Sequence, residues 1–128
     1  MAPLLELRSV SKIFGGGMFN RRNVTVAVDD ISFTISEDNP AITSIAGESG
    51  SGKSTLARLL LGIIKPTNGT VLYKGKPVTT MTRKERKEYR REVQPIFQDP
   101  FESYNPFYKV DHVLHAPAKN FQIAKSRI

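Results

Sequence analysis

Apolar positions along this chain recur with two different periods. Residues 4–10 (LLELRSV) and 31–35 (ISFTI) place an apolar side chain at about every second position, the period of a half-buried strand. Residues 24–28 (VTVAV) read as a further β-rich run, and Asp29-Asp30 predicts a turn between it and 31–35. Ile13-Phe14 precedes a break at Gly15-Gly16-Gly17, and residues 15–23 (GGGMFNRRN) predict a glycine-rich, basic loop. Beyond the turn SEDNP, the apolar stretch 41–46 (AITSIA) predicts a strand of the buried type. The period then changes. Residues 53–64 carry Leu56, Ala57, Leu59, Leu60 and Leu61, which predicts a helix that stops at Lys65-Pro66.

Residues 70–73 and 76–78 flank Lys74-Gly75 as a hairpin, with Asn68-Gly69 as the turn before it. Residues 82–92 (TRKERKEYRRE) predict a charged helix with Thr82 as N-cap and Glu85 three positions on. Its cations could form a nucleic-acid face. The glutamates at 85, 88 and 92 favour instead a solvated helix laced with local ion pairs. Residues 93–97 predict a short strand, and 110–115 the start of a helix that Pro117 interrupts.

Composition narrows the class. The chain has 128 residues, 39% of them hydrophobic, enough for the core of one ordinary domain. The 19 Lys and Arg against 12 Asp and Glu give a net charge of +7, which suits nucleic acid, a membrane surface or a polyphosphate without choosing among them. Without cysteine there is neither a disulfide nor a thiolate metal site, and His112 and His115 lack neighbours at ligand spacing. The start MAPLLELRSVSK has no secretory pattern, and LARLLLGII is too short to span a bilayer, so membrane association is expected only through a partner.

The chemistry concentrates in GESGSGKST. Gly47, Glu48, Ser49, Gly50, Ser51, Gly52, Lys53, Ser54 and Thr55 match G-x-x-x-x-G-K-[ST] in full. Small residues let the backbone wrap a phosphate chain while the following helix presents its positive end. Lys53 would bridge the β- and γ-phosphates, and the Ser54 hydroxyl would reach Mg²⁺. The predicted strand before the loop and helix after it supply the required context. A catalytic carboxylate is harder to find. The apolar run ending in Asp29-Asp30 precedes the loop and reads as a structural turn, and beyond Gln98 only Glu102 and Asp111 remain, neither closing an apolar strand.

Together, LELRSVSKIF, VAVDDISFTI, AGESGSGKSTLARLLLGIIKPTNGTVLYKGKPV and VQPIFQDPFESYNP resemble the ATP-binding subunit of ABC transporters, and more closely the branch that energises oligopeptide and dipeptide import. The phosphate loop is shared with many NTPases; its combination with IFQDP is more specific to the ABC type, and SYNP is similar to the peptide-importer branch. The resemblance implies an α/β fold, a P-loop NTPase core with an antiparallel β subdomain, truncated at the start of the helical subdomain. Residues 1–128 would form the N-terminal part of one ATP-binding domain, with the phosphate loop at 47–55 and a Q-loop region at 96–106. The family's signature segment, its strand-borne Asp and catalytic Glu, and its switch histidine do not occur in this sequence, so a chain of this extent is expected to bind nucleotide with little turnover.

By the same resemblance Phe14 stacks on adenine, and Gln98 reaches Mg²⁺ and the attacking water. Phe101, Tyr104 and Phe107 would face a membrane-spanning partner, since aromatic residues favour interface cores. The bland readings are that Phe14 packs in the first sheet and that Gln98 is a solvated loop residue. The implied ligands are ATP or ADP with Mg²⁺. The implied partners are membrane-spanning permease subunits, a second ATP-binding subunit in a homo- or heterodimer and, indirectly, a solute-binding protein. Nucleic acid is not expected. The location would be cytoplasmic, peripheral on the inner face of the membrane through the partner subunits. Two alternatives remain open: a soluble ABC-type ATPase acting on nucleic acid or ribosomes, and a non-catalytic nucleotide-binding or interaction module.

Overall fold

Two long strands carry the N-terminal alternation. The computed structural model describes residues 3–15, 24–38, 41–96, 107, 109 and 111–123. Strands β1 (Leu5–Gly15) and β2 (Val24–Ile35) pair antiparallel, from Leu5 opposite Ile35 to Gly15 opposite Val24. β3 (Asn68–Tyr73) lies on the other side of β1, and β4 (Lys76–Pro77) closes a four-stranded sheet of order β2-β1-β3-β4. The Lys74-Gly75 turn has positive φ at both residues (48° and 78°), the hairpin geometry read from the sequence.

β2 differs from expectation at Asp29-Asp30. The predicted turn is a bulge inside one continuous strand: Asp30 has φ 44°, and two residues of β2 fall between the pairs Val10–Ile31 and Lys12–Val28 where β1 supplies one. β1 carries its own bulge at Ser9, with φ 45°. Two hydroxyls take up the displaced backbone donors: Ser9 N–H donates to Ser32 Oγ at 2.8 Å and Asp30 N–H to Ser11 Oγ at 2.9 Å. Both serines look like ordinary strand polar positions in the sequence.

Helix α1 (Lys53–Leu60) buries Leu56 and Leu59 and contacts β2. It stops four residues short of the predicted end, because Gly62, at φ 65°, closes it. Gly62 N–H bonds Leu59 O at 3.0 Å and Ile63 N–H bonds Arg58 O at 3.0 Å, the paired reverse bonds of a Schellman ending. The core joins Leu5, Leu7 and Val10 of β1 to Val71 and Leu72 of β3 and Leu59 of α1, all buried. Three successive buried residues, Val71 to Tyr73, show that β3 is covered on both faces.

Two predicted strands do not form. Residues 41–46 have no regular structure, and Ile42 is 98% exposed. A buried-type strand exists only between hydrogen-bonding neighbours, and none of the four strands of the sheet pairs with this segment. Residues 93–96 are likewise irregular, with Ile96 fully exposed.

The chain divides into two compact units, Met1–Arg86 and Lys87–Ile128. Helix α2 (Arg83–Glu92) starts at the predicted capping box: Thr82 Oγ1 accepts from Glu85 N–H, and Glu85 Oε2 accepts from Thr82 N–H at 2.8 Å. Among the described residues no ion pair joins two residues of this helix, contrary to the expected lacing. Glu85 pairs with Lys76, outside the helix, and none of the six α2 cations forms an ion pair among the described residues. In the second unit, helix α3 (His112–Phe121) continues past Pro117 instead of stopping there, and Gln122, at φ 56°, ends it with Ile123 N–H bonded to Ala118 O at 3.0 Å.

The hydrogen bonds from Lys76 and then Thr82 hold the Glu85 carboxyl at a pKa of about 2, below its ordinary 4.5. A depressed carboxylate pKa contributes stability above its unfolded value, and that contribution is lost as the pH falls toward the folded value. Thermal unfolding of Glu85→Gln against the parent chain checks this: the gap in midpoints is expected to be full at neutral pH and to close between pH 4.5 and about 2. A gap constant across that window refutes the linkage.

Candidate functional site: a phosphate loop beside an apolar cleft

The loop before α1 folds around its own lysine. Lys53 Nζ donates to Gly47 O and Glu48 O, both at 2.6 Å, and to Ser51 Oγ at 3.3 Å. Ser51 N–H donates to Glu48 O at 3.2 Å, a tight turn in which Gly50 has φ 82°. An ammonium is thereby fixed at the centre of a ring of backbone. Gly52 ends the loop and caps α1 without a side-chain hydrogen bond, and no acidic residue occupies the helix's first turn. The first-turn N–H groups and the helix dipole are left to an external anion.

Glycine is required at Gly52 for two reasons. Its φ is 91°, and a Cβ there would stand 2.0 Å from Ala27 O on β2. The approach pins the loop against the strand. At Gly47 a Cβ would come within 2.6 Å of Ser51 Oγ, filling part of the cradle.

An open cleft of about 410 Å³ adjoins the loop. Val26, Val28, Ile31, Ile45 and Leu56 form its apolar wall, and Asp29, Ser51 and Lys53 contribute polar groups. Asp29, in the bulge of β2, lies among the lining residues together with Lys53 of the loop. In the sequence Asp29 reads as part of a turn, because two adjacent acids give no signal of the register that a bulge creates.

Phe14 lies outside the cleft lining and is 42% exposed near the end of β1. Its strand partner is Thr25, next in sequence to the cleft residue Val26. Lys12 Nζ stands 5.1 Å from the Phe14 ring centroid, a cation–π contact. The structure therefore gathers residues 47–55 into a loop and the first turn of α1, and sets Phe14 on the strand next to the one that lines the cleft. Ser54 is exposed and Thr55 half-buried in the first turn of α1. Gln98, Phe101 and Tyr104 lie outside the described residues, and Phe107 is 92% exposed.

A phosphate loop opening a helix beside an antiparallel sheet defines an α/β domain of the P-loop class. The ABC transporter family model matches residues 28–126, and the chain belongs to that family. It is 39% identical over 128 residues to the probable peptide ABC transporter ATP-binding protein y4tS of Sinorhizobium fredii, covering 97% of this chain and 35% of that protein. It is 39% identical to the oligopeptide transport ATP-binding protein AppF of Bacillus subtilis, over 89% of this chain and 35% of the relative. The nickel import ATP-binding protein NikE of Rhodospirillum rubrum is 36% identical, over 94% of this chain and 43% of its own length. The ATP-binding cassette MJ0796, solved as a dimer bound to ADP and Pi, superposes with a TM-score of 0.69 at 22% identity, over 97% of this chain and 50% of the cassette. The chain thus spans well under half the length of these curated relatives and half of the solved cassette, which supports the fold alone. No described helix is long and apolar enough to cross a membrane.

Proposed function

We propose that this chain binds ATP and ADP with Mg²⁺ through residues 47–55, and that the intact subunit hydrolyses ATP to energise import of peptides or related solutes. The observation that carries the reading is Lys53 Nζ, held by Gly47 O and Glu48 O at the head of an uncapped helix. Cation, backbone donors and helix dipole converge on one small space, which fits a polyphosphate and no neutral ligand.

Residues 1–128 form part of one ABC ATP-binding domain, with the phosphate loop at 47–55 and a Q-loop region at 96–106. Loop backbone donors and Lys53 take the β- and γ-phosphates, and Ser54 holds Mg²⁺. The ion suits a hydroxyl with phosphate oxygens and water, because Mg²⁺ keeps much of its hydration shell. Phe14 stacks on adenine, and Gln98 positions metal or water. Bound Mg²⁺ would neutralise charge developing on the transferred phosphoryl group. Phe101, Tyr104 and Phe107 contact membrane-spanning permease subunits. A second ATP-binding subunit completes the machine, a solute-binding protein delivers solute to the permease, and the assembly sits on the inner face of the membrane. Similarity to two peptide transport proteins supports peptide over nickel as the solute class.

Calorimetric titration tests the site. ATP and ADP are expected to bind with Mg²⁺ present, and AMP at least about tenfold more weakly, because the loop reads the β-phosphate. AMP binding as tightly as ATP overturns the reading.

A further inference from the structure

Helical geometry sorts the charges of α2 into two faces. At about 100° per residue, Arg83, Lys84, Arg86, Lys87, Arg90 and Arg91 fill one arc of about 160° with no apolar or acidic residue among them. Glu85, Glu88 and Glu92 fall on an arc of about 60° on the opposite side, beside the buried Tyr89. Five of the six cations are exposed and Arg86 is half-buried. None of the six has an ion-pair partner among the described residues.

The arrangement opposes the stability of the helix. Arg83–Lys87, Arg86–Arg90 and Lys87–Arg91 are like-charged pairs four apart, each destabilising a helix. Arg83 and Lys84 also stand in the first turn, where the helix dipole disfavours cations. Only Arg90 and Arg91, in the last turn, are explained by the dipole. A face that costs the helix stability and has no ion-pair partner among the described residues has the chemistry to meet an external anion.

We propose that this face of α2 lies against the anionic headgroups of a lipid bilayer, a direct membrane contact in addition to any made through partner subunits. The proposal rests on the reading of the chain as part of a transporter subunit that works at a membrane. A cluster of four to eight Lys and Arg on an amphipathic helix has the chemistry of anionic-lipid binding. With no apolar residue in the arc, α2 adsorbs to headgroups without inserting. Single-stranded nucleic acid fits less well, since the cationic arc lacks an aromatic stacking platform and Tyr89 is buried.

Sedimentation of the full chain with vesicles tests this at physiological ionic strength. It is expected to bind equimolar phosphatidylcholine–phosphatidylglycerol vesicles and not phosphatidylcholine alone. Arg83→Gln, Lys87→Gln and Arg90→Gln together are expected to weaken binding about a hundredfold. Lys65→Gln, Lys109→Gln and Lys119→Gln remove the same charge elsewhere and are expected to change it less than about threefold. Equal loss in both triple variants reduces the effect to bulk charge and overturns the proposal, as does the absence of binding to anionic vesicles. An RNA or DNA oligonucleotide that displaces the vesicles through the same three residues assigns the face to nucleic acid and also overturns it. ATP titration of each variant reports folding and tests the nucleotide site separately, so the two readings fail independently.

Discussion

Lys53→Ala is expected to lower ATP affinity about a hundredfold, the size of effect found when one member of a close charge pair is removed. The reason lies in where the ammonium is held. Its bonds to Gly47 O and Glu48 O place a full charge inside the loop, where the uncapped helix already favours an anion. Alanine removes that charge and also the tie between the loop's start and its end. Lys53→Arg separates the two contributions: it keeps the charge, but a planar guanidinium does not fit a ring built around a compact ammonium. Arginine is expected to recover only a small part of the lost affinity. Calorimetry at fixed Mg²⁺ measures both variants. A Lys53→Ala affinity within about threefold of the parent chain removes the lysine from the phosphate site, given that a tenfold change corresponds to about 1.4 kcal/mol.

Gly52→Ala is expected to cost about 3 kcal/mol of folding stability, read from urea unfolding. Two penalties combine there. A residue with a side chain resists φ 91°, and the added Cβ meets Ala27 O at 2.0 Å, so the loop or β2 must shift. Gly50→Ala isolates the first penalty, because Gly50 has φ 82° with open space around its Cβ position. It is expected to cost about 1 kcal/mol. The ranking is the check: if Gly50→Ala costs as much as Gly52→Ala, the close approach to β2 is not what fixes the loop. Nucleotide affinity is expected to fall with Gly52→Ala as well, since the displaced segment carries the helix N-terminus.

Local patterns stated much of this in advance. The phosphate loop was legible because each feature needs a particular residue type at a fixed offset: glycine for positive φ, lysine for a cation that reaches back, then a helix to carry the dipole. The capping box at Thr82 and Glu85 and the hairpin at Lys74-Gly75 were legible for the same reason. Elements whose partners lie far away in sequence were not. AITSIA has the residues of a buried strand, but strand formation depends on neighbours, and none of the described strands pairs with it. For the end of α1 Pro66 is the louder stop signal in the sequence, while Gly62 acts first through two backbone bonds.

Sequence alone thus determined the motif at residues 47–55, the family it resembles and the short-range turns and caps, because those depend on residues within a few positions of one another. Only the tertiary structure decided that Asp29-Asp30 is a bulge and not a turn, that Asp29 and Val26 line a cleft beside Lys53, and that Ser11 and Ser32 satisfy the bulged backbone. It also separated the charges of α2. In the sequence its glutamates alternate with the cations; wound at 3.6 residues per turn they lie on opposite faces. Pairing register, cleft lining and helix faces are set by how distant or wound segments meet in space, and a linear pattern holds that information only once the backbone has chosen its path.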